Sequence, residues 1–308
     1  MNAAGPLVSV IVPVRGDVSG VRSLVRRLAL QTLARDRFEV VVGVDGPRTQ
    51  EAVARLATDD GWLRVVAGPE RNSYAARNRA AGAARSAVLA FCDSDCLPEP
   101  DWLARGLAAL QEAQIVAGEV RFVASSRPST WSLLTIDTFL DQQRDVRASV
   151  GVTANLFVAR ELFERGGGFD ESFPSGGDYD FVRRSVADGA RLVYEPRAVV
   201  MHPTIDERRL FLRKVWTTSR WAAVRRAQAR APFSLLESVE LLLPLVGPAI
   251  VRHRARRPLL HLDRRRLEAA GVSVSLRQEA QAMALVYLLV PYIAGLGRVS
   301  GWLAGRAR

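Results

Sequence analysis

An apolar run that ends abruptly in two aspartates constrains the fold of this chain more than any other stretch. Residues 88–92 are uninterrupted by any charged side chain, and Asp93 and Asp95 follow directly, before Pro98 and Pro100. A continuous apolar run is typical of a strand buried on both faces of a parallel sheet. The carboxyl ends of such strands are where open α/β sheets bind their ligands. Two carboxylates at that place could share a hard divalent cation whose other ligands are phosphate oxygens and water.

Strand and helix patterns alternate through the first third of the chain. Strands are predicted at 8–14, 38–44, 63–66 and 88–92, and helices at 18–33, 51–57, 73–84 and 101–111. This alternation indicates βαβ units and a parallel sheet, and therefore an α/β fold. The strand ends near Arg15, Asp45 and Asp93 should then face one crevice.

The rest of the chain is patterned less regularly. Further strands are predicted at 115–123, 152–159, 191–194 and 198–201, helices at 130–143, 178–187 and 208–230, and a loop at 145–149. Later segments comprise an apolar stretch at 235–251 with two prolines, an arginine cluster at 252–266 and an uncharged stretch at 280–297 that contains Pro291. We therefore expect two regions, an α/β domain at 1–204 and a helical region at 205–308.

Charge is divided unevenly between these two regions. Residues 1–204 contain 24 Lys and Arg against 25 Asp and Glu, whereas residues 205–308 contain 19 against seven. Such a basic region suggests an anionic partner surface, either nucleic acid or membrane. Because its basic stretches alternate with short apolar ones, we favour a membrane surface. A spanning helix needs about 20 apolar residues, so an interfacial helix, a soluble appendage and a true span all stay open.

Several classes of protein are disfavoured by missing patterns. Cys92 and Cys96 have poor spacing for zinc and no nearby histidine, so we expect a buried residue and a loop thiol in a reducing compartment. No Gly-x-Gly-x-x-Gly follows a strand, and no phosphate-binding Gly-x-x-x-x-Gly-Lys occurs, which argues against a dehydrogenase or a P-loop enzyme. No secretory leader is expected at the amino terminus. A nucleotidyltransferase, with Arg15-Gly16 as a reduced basic loop, and a non-catalytic basic nucleic-acid-binding or membrane-binding protein remain as alternatives.

The order of the motifs resembles that of the family 2 glycosyltransferases of GT-A fold, over residues 7 to 203. The matching pieces, in chain order, are VSVIVP (8–13), VGVDG (42–46), NSYAARN (72–78), FCDSDC (91–96), NLF (155–157), GGFDE (167–171), GDYDF (177–181) and a closing His202. The resemblance implies an inverting enzyme that takes a sugar from a nucleotide-diphosphate sugar and uses Mg²⁺ or Mn²⁺. Together with the basic and apolar segments of residues 205–308, it leads us to expect a hydroxyl acceptor on a lipid-linked or cell-envelope glycan, and no nucleic-acid partner.

The same resemblance implies roles for individual residues. Asp45 would contact the nucleotide base, Arg77 would help to hold the nucleotide, and Pro13 would line the donor site. Asp93 and Asp95 would bind the ribose and the metal–diphosphate, and His202 would lie near the metal. Asp178 would be the general base on the acceptor side. With the basic region added, we expect a cytoplasmic enzyme on the inner face of the plasma membrane.

Four positions depart from the family pattern. Val44 stands where a second acidic residue usually precedes Asp45, and Gly177 stands where a glutamate usually precedes Asp178. Arg15 follows the first motif in place of an aromatic-Asn pair, and Ser73 replaces a glycine. These departures leave the expected base and metal ligands in place. They bear on which nucleotide and which acceptor are used.

Overall fold

The computed structural model describes residues 5–47, 50–58, 60–229 and 261–306. The chain forms two compact units, the first made of residues 1–121 and 140–202 and the second of residues 122–139 and 203–308. The expected functional regions, 1–204 and 205–308, remain proposals. The segment Phe122–Phe139, which lies inside the first of these regions by sequence, belongs to the second unit.

An eight-stranded mixed sheet forms the centre of the fold. Its strands are β1 (Val8–Val14), β2 (Phe38–Asp45), β3 (Leu63–Gly68), β4 (Val88–Cys92), β5 (Leu97–Pro98), β6 (Ile115–Val123), β7 (Asn155–Ala159) and β8 (Leu192–Pro203). They lie in the order β3-β2-β1-β4-β7-β6-β8-β5. The first four in this order are parallel, and β7 pairs antiparallel with both β4 and β6. The expected α/β architecture is confirmed.

Helices of the first unit connect these strands. They are α1 (Val18–Leu28), α2 (Gln50–Ala54), α3 (Ser73–Gly82), α4 (Trp102–Ala109), α6 (Gln142–Arg147), α7 (Arg160–Arg165) and α8 (Gly177–Ala187). Alternate residues of β1 belong to two different apolar cores, with Val10 and Val12 in one and Ile11 in the other. Both faces of the strand are therefore buried, which explains why its sequence is apolar without alternation.

A fully buried amide, Asn155, connects the first unit internally. Its Nδ2 donates to the backbone oxygens of Glu119 and Ala198, both at 2.8 Å, and its Oδ1 accepts from Trp102 Nε1, also at 2.8 Å. These three bonds join β7 to β6, β8 and α4. They also satisfy the hydrogen-bonding groups of the buried amide. Strand β7 therefore begins at Asn155 rather than at residue 152 as predicted.

Other predicted elements also differ from the structure, among them the first helix, which ends at Leu28 rather than at residue 33. The helix predicted at 130–143 is broken into α5 (Thr130–Thr138) and α6, because Phe139 is extended and Leu140 has a φ of 53°. Asp141 then caps α6 by accepting from Arg144 N at 3.0 Å, so that helix extends into the predicted loop at 145–149. Apolar periodicity continues across this break, so the sequence pattern did not reveal that the helix is interrupted. The pieces predicted at 191–194 and 198–201 form one strand, β8, whose Pro196 lies at an exposed position.

The described helices of the second unit are α5, α9 (Arg208–Gln228), α10 (Arg264–Ala269), α11 (Leu276–Leu288) and α12 (Val290–Arg306). Polar bonds hold this unit together: Asp137 Oδ1 accepts from the Asp263 backbone N at 3.0 Å, and Arg266 donates to the Phe139 backbone O at 2.6 Å. The Phe211 ring packs against those of Trp131 and Phe139.

The sequence predictions for the second unit can be followed only in part. The helix predicted at 208–230 corresponds to α9. The apolar segment 235–251 and most of the arginine cluster 252–266 lie outside the described residues. Pro291 is in the first turn of α12. A backbone N–H at that place has no partner within its own helix, so the N–H that proline lacks is not missed there. Together α11 and α12 are long and apolar enough, by length and composition, to cross a membrane: Leu276–Arg306 is 31 residues with a window of mean hydropathy 1.7.

The contact between β2 and α3 should be sensitive to a single added carbon. A Cβ at Gly43 would lie 2.2 Å from the Ala76 backbone oxygen. We expect Gly43→Ala to lower the free energy of unfolding by about 1–3 kcal/mol because α3 must move away. Gly82→Ala, in the same helix but with nothing within 4 Å of the new carbon, should instead stabilise by about 0.5–1 kcal/mol. Denaturant unfolding of both variants measures this, and equal effects would contradict the packing described.

Candidate active site

The carboxyl end of β2 presents a buried carboxylate with one open oxygen. Asp45 is 3 % exposed, and its Oδ1 accepts from the Arg71 backbone N at 2.7 Å. Its Oδ2 is buried without a hydrogen-bond partner in the described part of the chain. A buried acceptor without a partner costs free energy, so this oxygen is suited to an N–H group of a ligand. Nearby, Arg15 at the end of β1 pairs with Glu70, and Pro13 is buried within β1 opposite Gly43.

At the end of β4, Asp93 is held by a buried arginine. The Arg77 side chain, on α3, is 6 % exposed, and its guanidinium forms an ion pair with the Asp93 carboxylate, which is 30 % exposed. The same guanidinium lies 5.5 Å from the centre of the Tyr74 ring. Because α3 packs against β1 and β2, this pair fixes Asp93 relative to the neighbouring strand ends. One Asp93 oxygen and the arginine can then contact a bound ligand together.

Asp95 faces a histidine from β8. The Nε2 of His202 lies 3.7 Å from Asp95 Oδ1, and these atoms and the Cys96 Sγ all lie within 4.8 Å of one another. Burial raises the pKa of Asp95, His202 opposes the rise, and Asp93 adds to it. A carboxylate and an imidazole that converge, with the carboxylate 42 % exposed, fit a divalent cation such as Mn²⁺.

The thiol in this group is less suited to a metal ion. Cys96 is fully buried, rather than the loop thiol that was expected, and its Sγ lies 3.8 Å from the Ala154 backbone O. A hydrogen bond with Cys92 and burial raise the pKa of Cys96 well above its usual range. A thiol must lose its proton to bind a metal ion. We therefore assign the candidate ligands as Asp95 and His202.

Asp178 lies in the first turn of α8 and is 8 % exposed. Its Oδ1 accepts from the Tyr74 hydroxyl at 2.8 Å and from the Tyr179 N at 3.0 Å, and its Oδ2 accepts from Thr153 N at 3.1 Å and Thr153 Oγ1 at 3.3 Å. Burial and the neighbouring Asp178 charge raise the pKa of Tyr74, so this hydroxyl stays protonated and donates. The carboxylate is thus fixed from α3 on one side and from the segment before β7 on the other.

Tyr74 also explains one departure from the family pattern. A Cβ at Gly177 would lie 3.0 Å from the Tyr74 ring, so the ring lies where a side chain at that position would begin. The Tyr74 hydroxyl accepts from the Gly176 backbone N at 3.0 Å, and Gly176 itself has a φ of 79°, which favours glycine. The two glycines and the tyrosine therefore form one arrangement that positions Asp178.

A second buried carboxylate lies beside this group. Asp145, on α6, accepts from the Tyr179 hydroxyl at 2.6 Å and from Arg144 at 2.9 Å. Burial raises the pKa of Asp145. Since Tyr179 follows Asp178 in α8, this bond connects α6 to the start of α8.

The glycine-rich turn before α8 is tied to the start of α3. Glu171 pairs with Arg71 at 2.7 Å and accepts from Asn78 Nδ2 at 3.1 Å. The Asn78 side chain also bonds both the N and the O of Phe169. Glu171 thus connects this turn to residues outside it.

The structure relates the predicted site residues to one another to different degrees. Arg77 contacts Asp93, Asp95 faces His202, and Tyr74 joins Asp178 to the helix that carries Arg77. Pro13 is related to the other site residues only by its place in β1, opposite Gly43 of β2. The positioning residues Tyr74, Thr153 and Asp145 were missed by sequence reasoning. Tyr74 lies inside the quoted motif of residues 72–78, whereas no sequence pattern marks Thr153 or Asp145.

Comparison with known proteins gives the family context. A family model described as Glycosyl transferase family 2 matches residues 9–167. Glycosyltransferase AglE of Haloferax volcanii is 29 % identical over 209 residues, which cover 66 % of this chain and 69 % of that protein. Succinoglycan biosynthesis protein ExoU of Rhizobium meliloti is 29 % identical over 245 residues, covering 68 % and 69 %.

A solved structure shows the same fold. The mannosyltransferase PcManGT from Pyrobaculum calidifontis, in complex with GDP-Man and Mn²⁺, superposes with a TM-score of 0.62 at 20 % identity, covering 98 % of this chain and 87 % of that one. The expected GT-A fold is confirmed. The matches also decide against the alternatives of a nucleotidyltransferase and a non-catalytic binding protein.

Removal of the Tyr74 hydroxyl should lower the stability of the protein and change the orientation of the Asp178 side chain. We expect Tyr74→Phe to lower the free energy of unfolding by about 1–2 kcal/mol, because Asp178 Oδ1 and the Gly176 N–H both lose a buried partner. Tyr179→Phe, which removes a comparable bond to Asp145, is the matched comparison. Denaturant unfolding gives the stabilities, and a crystal structure of Tyr74→Phe should show the Asp178 side chain rotated. An unmoved carboxylate at unchanged stability would contradict the positioning role.

Proposed function

Since this chain belongs to glycosyl transferase family 2 and is a glycosyltransferase with a nucleotide-sugar donor, we propose that it transfers the sugar to a hydroxyl acceptor by a single inverting displacement, with Asp178 as the general base. The observation that carries this proposal is the Asp178 carboxylate. It is buried at the start of a helix and held by side chains from two other segments.

The donor side of the proposal rests on the strand ends. The open Oδ2 of Asp45 accepts an N–H of the nucleotide base, and the Arg77–Asp93 pair holds the ribose and nucleotide. An ionised carboxylate forms stronger hydrogen bonds than a neutral acceptor does. PcManGT, which shares the fold, binds GDP-Man, which supports a nucleotide-sugar at the corresponding strand ends.

We propose that Asp95 and His202 hold a divalent cation, Mg²⁺ or Mn²⁺. The convergence of their ligand atoms, 3.7 Å apart, supports this assignment, as does the Mn²⁺ in the PcManGT complex. When bound, such an ion neutralises the charge that develops on the diphosphate leaving group. Asp93, beside it, keeps its own bond to Arg77 and so remains on the nucleotide.

For Asp178 to act as the base, one lone pair of its carboxylate must become available to the acceptor hydroxyl. Four donors surround the carboxylate, and the longest of these bonds is that from Thr153 Oγ1 at 3.3 Å. A threonine hydroxyl can rotate to another acceptor, so the acceptor hydroxyl replaces it and passes its proton to Asp178 as the new bond forms. Tyr74 and the Thr153 N–H meanwhile keep the carboxylate oriented. One base opposite the leaving group gives one displacement, and therefore inversion.

The proposed acceptor is a lipid-linked or cell-envelope glycan. The name of the relative ExoU refers to succinoglycan biosynthesis, and the second unit of this chain is basic and contains a long apolar segment. Both features support an enzyme on the cytoplasmic face of the plasma membrane, with residues 1–204 as the catalytic region and 205–308 as the membrane-associated region.

Replacing the proposed base should separate binding from transfer. Asp178→Asn can keep most of the hydrogen bonds but cannot take up a proton, so we expect transfer to fall by about 10²–10⁴-fold with donor binding retained. Asp180→Asn, two residues further along the same helix and paired with Arg184, is the matched control and should stay active. Turnover by Asp178→Asn near that of the control would show that the base is another group.

The proposed metal ligands can be tested without turnover. A ligand that binds the native state raises the midpoint of thermal unfolding, so we expect UDP or GDP to stabilise the protein more in the presence of Mn²⁺. Asp95→Asn should lose the Mn²⁺-dependent part of the shift. Asp101→Asn, at an aspartate that pairs with Arg105 near the surface, should keep it. An undiminished Mn²⁺-dependent shift in Asp95→Asn would rule out Asp95 as a ligand.

A further inference from the structure

Three glycines on one face of α12 bring it into backbone contact with α9. A Cβ at Gly301 would lie 2.0 Å from the Arg220 backbone O, and one at Gly297 or Gly305 would lie 2.9 Å from the backbone O of Trp216 or Val224. The contacts advance in the same direction along both helices, which therefore run parallel. Small residues four apart allow this close approach, as they do in pairs of transmembrane helices. Neither helix can move far without the other.

The opposite face of α12 is apolar and exposed. Tyr292, Leu296 and Leu303 are 48 %, 37 % and 59 % exposed, and Leu288 at the end of α11 is 57 % exposed. With 3.6 residues per turn, the spacings of four and seven place these side chains on one side of the helix, away from the glycines. We call these four residues the apolar stripe. A contiguous row of exposed large apolar side chains marks an interaction surface more often than a single one does.

The helix paired with this stripe is strongly basic. α9 contains seven Lys and Arg and no Asp or Glu, and Arg208, Arg209, Arg213 and Arg226 are exposed. α12 itself has two arginines and no acidic residue. Because α9 packs on the side of α12 opposite the apolar stripe, a bilayer that takes up the stripe would place α9 at the depth of the lipid headgroups, where its cations are complementary to anionic lipids. This surface is less suited to an acidic protein, which would leave the apolar row uncovered.

The beginning of the same apolar segment is anchored within the unit. Glu279 of α11 is 4 % exposed and accepts from Leu262 N at 3.1 Å and from Arg264 at 2.6 Å. Ala282 and Met283, one turn further, are buried. A span needs about 20 residues, so one within this segment would have to include most of α12. Because of the glycine contacts, inserting α12 across a bilayer would pull the seven cations of α9 toward the hydrocarbon, where they are strongly disfavoured.

We infer that the apolar stripe and the basic helix α9 together form a surface that binds an anionic lipid bilayer, with α12 lying in the plane of the interface rather than crossing it. This inference rests on the membrane association proposed above and specifies its mode and residues. The leucines enter the region between headgroups and acyl chains, and the arginines of α9 contact lipid phosphates. The bilayer covers the exposed face of α12.

The test uses the full-length protein and vesicle flotation. Phosphatidylcholine vesicles are compared with vesicles that also contain phosphatidylglycerol. We expect binding to the anionic vesicles that weakens as salt is added, because screening reduces the attraction of the arginines. The double variant Leu296→Gln with Leu303→Gln should reduce the partition coefficient by about tenfold or more. Leu30→Gln, at a leucine of the first unit that is 60 % exposed, is the matched control and should bind normally.

A second pair of variants tests the charged part of the surface. Arg209→Gln with Arg213→Gln should weaken binding to anionic vesicles by roughly fivefold per residue and leave the weak binding to phosphatidylcholine unchanged. All substitutions are at exposed positions, so thermal unfolding should match that of the unmodified protein. If the double leucine variant fails this check, Leu303→Gln alone takes its place.

Several results would overturn the inference. These are the absence of vesicle binding, binding that the stripe variants leave unchanged, resistance to alkaline carbonate extraction from membranes, which would indicate a span, and a dimer that the stripe variants dissociate. The catalytic proposal fails separately. Vesicle binding through the stripe with an active Asp178→Asn would contradict the assigned base alone, and transfer without vesicle binding would contradict this surface alone.

Discussion

The parallel pairing of β1, β2 and β4 is the constraint on which the site depends. Because these strands are buried on both faces and run in the same direction, their carboxyl ends meet at one edge of the sheet. Asp45 and Asp93, which are far apart in sequence, therefore follow strands on either side of β1 and lie at the same edge of the sheet. Helix α3 packs against the same strands and carries both Arg77, which fixes Asp93, and Tyr74, which fixes Asp178. One helix thus relates the proposed donor side of the site to the proposed acceptor side.

Much of the first unit could be predicted from sequence because its signals are local. The strand at 88–92 and the two aspartates after it follow from an apolar run and a break. The helix break at Leu140 could not be predicted, because it depends on a backbone angle and on the Asp141 cap, neither of which disturbs the apolar period. The role of Tyr74 could not be predicted either, since it follows from the space left by Gly177 more than 100 residues later. Packing between distant segments decides such features.

The sequence of the second unit also left a structural feature open, namely the position of its apolar segment relative to a membrane. Charge and apolar content favoured a membrane surface but left an interfacial helix, a soluble appendage and a true span open. The interfacial position that we infer rests on the glycine contacts between α12 and the basic helix α9, which no sequence pattern marked. The proposed membrane association would bring the enzyme to a lipid-linked acceptor at the bilayer surface.

The most direct test of the catalytic account is the configuration of the transferred sugar in the first-formed product. Proton NMR during the reaction compares the anomeric coupling of the product with that of the nucleotide-sugar donor. One displacement assisted by Asp178 predicts the opposite configuration in the product. The same configuration in product and donor would require a covalent intermediate or attack from the face of the leaving group, and would contradict the role given to Asp178.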